Sequence, residues 1–248
     1  MKDSTIKNKI INSSLIATSI LFIIIVWSIL SLSYDNELIF PNISDILNQF
    51  IYVITSKESL LAITLTILRV IVSVLFCFII GFIILVIYII VPKSIYFFHP
   101  FITIMRSTPL AVVSIFIFII MGADIGPYVI TLLMTCPLVI EGLIVSYDEI
   151  NKDIIDEVKT LEGSVIKKIF NVYIPIIFPY IIMTFVQSLG MSFKVIIMGE
   201  YICQTKNSIG KLLYSAKANL DMASLISYGI IIVIIVTILE KIVKQRKR

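Results

Sequence analysis

The chain has almost none of the residues on which metal and redox chemistry are built: one histidine and three cysteines in 248 residues. His99 stands beside Pro100 with no carboxylate cluster near it, and Cys77, Cys136 and Cys203 show no ligand spacing, so no metal site is expected. Cys77 and Cys136 lie inside apolar runs, where packing is the default role. The sequence also lacks a Gly-x-Ser-x-Gly elbow, a His-Glu-x-x-His helix and any paired-carboxylate arrangement, so no catalytic residue is expected. Without a Gly-x(4)-Gly-Lys-Ser/Thr loop the chain cannot bind and split ATP by that device, and no cofactor of its own is expected. Charge is scarce too, at 15% of residues, against about 25% in a soluble domain.

What is present is apolar and comes in blocks. Hydrophobic residues make up 59% of the chain, in runs starting near Leu15, Leu60, Ile95, Gly126, Val172 and Leu220. Each is near or above the ~18 residues a helix needs to cross a hydrocarbon layer. The runs do not alternate apolar with polar positions, which excludes a β-barrel. The expectation is an all-α, polytopic membrane protein of about six transmembrane helices. Residues 1–59 would hold an N-terminal tail, the first helix and an outer amphipathic segment. Residues 60–248 would form the core, with a cytoplasmic loop at 146–171. The first span, Ser14 to Leu32, follows a basic start without a small-x-small cleavage site and is expected to be uncleaved.

The cations are unevenly placed. Lys2, Lys7, Lys9, Lys93, Lys152, Lys159, Lys167, Lys168, Lys241, Lys244, Arg246, Lys247 and Arg248 fall in one alternate set of loops and termini. The opposite set holds only Lys57, Lys206, Lys211 and Lys217. The positive-inside rule then puts both termini in the cytoplasm, which requires an even number of crossings.

Along the chain, Phe40-Pro41-Asn42 forces a turn. Ile43, Ile46, Leu47 and Phe50 then recur at helical spacing, as an amphipathic helix on the membrane surface or as a packing element. In the span Leu60 to Val91, Ser73, Cys77 and Gly81 recur every four residues, a stripe that lets a neighbouring helix approach closely. The span Ile95 to Met121 contains Pro100 and Pro109, a turn is expected over 122–127, and Pro137 interrupts the next span, Pro127 to Val145. Prolines free backbone carbonyls, which a membrane tolerates only against protein or a watery cavity, so a route through the bundle is expected.

Five charges fall within the runs: Arg69, Arg106, Glu141, Lys194 and Glu200. Each costs about 2.5–3.5 kcal/mol unless paired or wetted. They pair across helices, or Arg106, Pro109, Lys194 and Glu200 line a path that favours anions. Lys194 and Glu200 are six apart, roughly 120° around a helix, so a direct pair between them is not assured.

The polar stretch from Ser146 to Asn171 carries the clearest pattern. Ile154, Ile155, Val158 and Leu161 make an apolar stripe on a short helix. Gly163 is placed to stop that helix in a left-handed conformation, and Ser164 to cap a second one bearing Ile166, Ile169, Phe170 and Tyr173. The result is a helix–turn–helix elbow whose apolar side packs beneath the bundle or plugs into a groove on another protein.

Asp156-Glu157-Val158-Lys159-Thr160-Leu161-Glu162-Gly163-Ser164, followed by Val172-Tyr173-Ile174-Pro175, resembles the EAA loop of ABC importer permeases. That motif reads Glu-Ala-Ala, three residues, Gly, nine residues, then Ile-x-Leu-Pro. With Asp156 as its first position, Pro175 falls on the motif proline and Val172 on its isoleucine. Asp156 replaces the Glu, Glu157 and Val158 replace the alanines, and Gly163 comes one residue late. Leu68-Arg69-Val70 with its small-residue ladder, the Pro100 to Pro109 segment, Ser192 to Glu200, and Asn207-Ser208-Ile209-Gly210 resemble, in order, stretches of the nitrate/sulfonate/taurine-type binding-protein-dependent permeases.

The resemblance implies a MetI-like ABC importer permease fold in a bacterial plasma (inner) membrane and a homodimeric pore. It also implies two cytoplasmic ATPase subunits, which bind the ATP–Mg, and an extracytoplasmic solute-binding protein. The solute would be small, anionic or heterocyclic: nitrate-, sulfonate- or taurine-like, or a vitamin precursor. Val158, Leu161, Ile166 and Phe170 would then supply the ATPase docking surface, with Gly163 setting the bend. The competing class is a stand-alone secondary transporter or channel. It would need intramembrane carboxylates for coupling, and only Glu141 and Glu200 qualify.

Overall fold

The computed structural model describes the backbone of residues 2–34 and 39–245 and the side chains of residues 14–33 and 39–242. The terminal cations Lys2, Lys7, Lys9, Lys244, Arg246, Lys247 and Arg248 lie outside the described side chains. The described elements are helical: α1 (Lys2–Tyr34), α2 (Ile43–Thr55), α3 (Lys57–Ile90), α4 (Ile95–Ser107), α5 (Leu110–Asp148), α6 (Lys152–Thr160), α7 (Val165–Lys168), α8 (Ile174–Cys203), α9 (Ile209–Ala218) and α10 (Met222–Gln245). The stretch expected as an N-terminal tail is the start of α1.

Five stretches are long and apolar enough to cross a membrane: Ser14–Ser33, Lys57–Ile90, Leu110–Asp148, Val165–Cys203 and Met222–Ile242. The expected span Ile95 to Met121 is not one of them, because it is broken in two. α4 stops at Ser107, Thr108 turns extended (φ −75°, ψ 128°) and α5 starts after Pro109. Proline disfavours the helical conformation at the residue before it and has no N–H to give the ladder.

α5 is not a straight rod either. Gly122 has φ 70° and ψ −168°, backbone that a Cβ disfavours. Past it the chain folds back on itself. A Cβ on Gly126 would lie 4.0 Å from the Cα of Phe118, whereas eight residues of straight helix are about 12 Å long. Residues 110–121 and 123–148 are therefore antiparallel legs. The expected turn over 122–127 shrinks to this one glycine.

The core lies where α3, the second leg of α5 and α8 meet, around Val74, Cys77, Leu143, Ile177, Phe193 and Ile196. Small residues set the spacing. Ser73, Cys77 and Gly81 are buried, and a Cβ on Gly81 would fall 2.9 Å from Val139 Cγ1 and 3.0 Å from Leu143 Cδ1. Between α5 and α8, Thr135 and Ser192 hydrogen-bond at 3.1 Å. A Cβ on Gly199 would meet Pro127 Cα at 3.3 Å.

α2 is a packing element with one exposed apolar face. One face packs on α10, with Ser227 Oγ donating to Ile46 O, Gln49 to Ser224 Oγ, and Val53 buried against Tyr228 and Ile231. Leu47, Ile51 and Tyr52 face outward. α1 is held through the turn before α2: Trp27 Nε1 donates to Pro41 O at 3.1 Å and stacks edge-on against Phe40. Its remaining apolar flanks, Leu21, Phe22 and Ile23 among them, are exposed, as on a helix surrounded by lipid.

Candidate coupling elbow and translocation cavity

The elbow is assembled from local chemistry. Asn151 caps α6 by accepting from Asp153 N at 3.0 Å, and Asp153 and Lys159 suit the two ends of the helix dipole. α6 stops at Thr160 with Leu161 already extended, two residues before the glycine expected to stop it. Gly163 instead shapes the link, at φ 120°. Ser164 caps α7 by accepting from Lys167 N. α7 lasts four residues and then widens into a π-turn over Ile169–Tyr173, where the N–H of Ile174 reaches back to Ile169 O. Pro175 accounts for the widening: it has no N–H for the carbonyl of Asn171, and its ring crowds that carbonyl.

Two lysines, the exposed Lys159 and the half-buried Lys168, tie the elbow together. Lys168 Nζ donates to Lys159 O at 3.0 Å, joining its two helices. Lys159 pairs with Asp156 at 2.7 Å, and that hydrogen bond and charge raise the lysine's pKa above its usual value.

The apolar stripe divides into two surfaces. Val158, Ile169 and Tyr173 are buried in the main core, with Ile155 packed against them. Val158, expected on the docking surface, therefore anchors the elbow to the bundle, because its face of α6 is the one turned into the core. Leu161, Ile166 and Phe170 stay exposed, at 51%, 58% and 59%, beside Ile154 and Val165. Asp156, Glu157 and Pro175 are also at the surface. The buried half is wired to the bundle by aromatic rings. Tyr147, near the end of α5, packs edge-on against Tyr88 of α3 with centroids 6.1 Å apart, and Tyr88 Oη donates to Asp148 at 2.8 Å. Tyr173 stacks on the other side of Tyr147.

Between α4, the second leg of α5 and α8 lies a cavity of about 550 Å³, lined by Met105, Arg106, Met134, Pro137, Leu138, Glu141, Gly142, Val145, Gln187 and Met191. Arg106 sits just before the Thr108–Pro109 break and donates to both Glu141 oxygens, at 2.9 and 3.0 Å. Lys194 does not line this cavity, but it follows Gln187 and Met191 on the same face of α8. It is exposed and without an ion-pair partner among the described residues. Left in lipid, such a charge would cost about 2.5–3.5 kcal/mol. Pro109 is exposed at the start of α5.

Glu200, which the sequence grouped with the path, stands apart from the cavity. It is fully buried, bound by Arg69 Nη1 at 2.9 Å, by Thr66 Oγ1 at 3.0 and 2.9 Å, and by Gly210 N at 3.3 Å. Arg69 also donates to the carbonyls of Lys206 and Asn207, so this cluster ties α3 and α8 to the loop before α9. Lys194 and Glu200 do not pair. Among the described residues no group of three His, Cys, Asp or Glu converges on one point. The tyrosine relay and Gln187 escaped the sequence reading. A lone amide followed by Met191 and Lys194 at four- and three-residue steps is the signal that marks the cavity face of α8.

No curated protein matches. A solved structure of the MetNI methionine ABC transporter in inward-facing conformations is similar in fold. Its TM-score is 0.68 at 16% identity, over 77% of this chain and 96% of that one. The family model for the binding-protein-dependent transport system inner membrane component matches residues 92–246, which is more than half of the chain and includes the elbow, the cavity and the Lys194 face. The chain belongs to the family of binding-protein-dependent transport system inner membrane components.

Proposed function

We propose that two copies of this chain form the membrane path of an ATP-driven importer for a small solute, anionic or heterocyclic, handed over by a solute-binding protein. The chain is a transport subunit and not an enzyme; ATP is hydrolysed by a separate ATPase. The lysines of the elbow, Lys152, Lys159, Lys167 and Lys168, favour the cytoplasmic side for it by the positive-inside rule, and with it both termini, in a bacterial plasma membrane.

The observation that carries the proposal is the division of the elbow. Leu161, Ile166 and Phe170 present an uncovered apolar face for the ATPase, while Tyr173 fixes the same element to the ends of α3 and α5. When the ATPase dimer closes around its own ATP–Mg, a push on that face reaches α3 and α5 through the rings and α8 through the backbone. Packed helices answer such a push by rigid-body rocking. The stand-alone transporter fits less well, because both carboxylates it could use for coupling are held by arginines, Glu141 by Arg106 and Glu200 by Arg69.

Co-purification with the ATPase subunit tests the proposal. Leu161→Asp and Phe170→Asp are expected to lower capture at least tenfold. Val158→Ala is expected to lower the thermal midpoint and leave capture intact. Full capture and full uptake by both aspartate variants would refute the elbow as the docking site.

A further inference from the structure

On one face of α8, Gln187, Met191, Lys194 and Met198 follow one another at steps of four, three and four residues, within an arc of about 60°. Gln187 and Met191 line the cavity, and Lys194 and Met198 extend the same face beyond it, all four at least partly exposed. The cavity's own arginine is already neutralised: Arg106 places one guanidinium nitrogen on both oxygens of Glu141. Lys194 is then the cation on this face without an ion-pair partner among the described residues. The cavity next to it along this face is walled by thioethers, from Met105, Met134 and Met191, which are polarizable and adapt to flat or sulfur-bearing groups.

We infer that Lys194 is the solute's anion-binding residue, that the path takes an organic anion with a polarizable apolar body, and that Arg106–Glu141 is a neutral strut with no share in charge selection. This rests on the cavity being the translocation path. An exposed lysine on a membrane helix without a partner keeps its charge only where water or an anion reaches it, and the line from Gln187 to Met198 supplies that access. A bare inorganic anion would leave the methionine walls unused.

Thiol labelling of the ATPase-bound complex in proteoliposomes tests the assignment. Met191→Cys lies about 4.5 Å along the axis from Lys194, within one Debye length. Its modification rates by 2-sulfonatoethyl and 2-(trimethylammonio)ethyl methanethiosulfonate form a ratio that reports the local charge. The wild-type chain, whose Cys77, Cys136 and Cys203 are buried, supplies the background. Adding Lys194→Gln is expected to lower the anion-to-cation ratio at least fivefold, adding Lys194→Arg to preserve it, and adding Arg106→Gln with Glu141→Gln to change it less than twofold. Met198→Cys, on the far side of Lys194, should report the same pattern.

An unchanged ratio in Lys194→Gln overturns the inference, as does a failure of both thiols to react. A fall of equal size in the Arg106/Glu141 double variant moves the anion role to Arg106 and also overturns it. For the solute body, benzenesulfonate should slow modification of Met198→Cys more than sulfate does at equal concentration. Equal protection rejects the apolar body. Loss of ATPase capture by the elbow variants would sink the importer proposal and leave the thiol ratios untouched, so the two failures are distinguishable.

Discussion

Tyr173, in the π-turn that joins the elbow to α8, packs edge-on against Tyr147 near the end of α5, with ring centroids 5.3 Å apart and planes at 87°. The contact spans two elements that the chain separates by the whole elbow, and both rings belong to the region where a docked ATPase would deliver force.

An edge-on aromatic pair is worth about 0.5–1.5 kcal/mol beyond the area it buries. Tyr173→Leu keeps most of that area and removes the oriented contact. It is expected to leave ATPase capture unchanged, lower uptake severalfold and raise ATP hydrolysis per solute moved. The ratio of hydrolysis to uptake in proteoliposomes is the measurement, and a ratio equal to wild type would remove Tyr173 from the coupling route.

The Arg69–Glu200 pair is held tightly enough to be tested by a double-mutant cycle. Glu200 is fully buried and takes hydrogen bonds from Arg69, Thr66 and Gly210. Removing one partner of a buried pair costs about 3–5 kcal/mol, since the other charge is left uncompensated. Arg69→Met should therefore lower the thermal midpoint sharply, and Arg69→Met with Glu200→Gln should recover a good part of the loss. If the double variant is as unstable as the sum of the two singles, the residues act independently and the cluster is not a unit.

The difference between what the sequence disclosed and what it hid is physical. Membrane-scale apolar runs and the elbow's 3.6-residue periodicity are local properties, so the all-α architecture and the elbow helices could be read directly. The stripe Ser73, Cys77, Gly81 was legible for the same reason. Which side of the elbow's stripe faces inward depends on how α6 lies against the bundle, and Val158 was misassigned because periodicity has no sign. Pro109 and Gly122 were visible as breakers, but only tertiary structure shows that one splits a span and the other reverses the chain. Buried charges posed a harder problem. Arg69 finds Glu200 across 131 positions and Arg106 finds Glu141 across 35, and nothing local distinguishes such a pair from a path-lining residue. Lys194 could be singled out only after the other four charges had been accounted for.

Two glycines should respond to the same substitution for different reasons. At Gly122 a Cβ would meet nothing within 4 Å, so Gly122→Ala carries only the backbone cost of φ 70° with ψ −168°, about 1–3 kcal/mol for a residue held in such a region. At Gly210 a Cβ would collide with the backbone nitrogen of Tyr201 and come within 2.6 Å of the carbonyl carbon of Glu200, atoms that no rotamer change can move aside. Gly210→Ala must shift α9 against α8 and break the hydrogen bond from Gly210 N to Glu200. It is expected to lower the thermal midpoint more than Gly122→Ala does and to lose the additivity with Arg69→Met that Gly122→Ala retains, because Gly210 and Arg69 meet at the same carboxylate. Thermal unfolding of the three single and two combined variants in one detergent decides it: a Gly210→Ala effect that adds fully to Arg69→Met would mean that the glycine's close approach and the charge cluster are separate features.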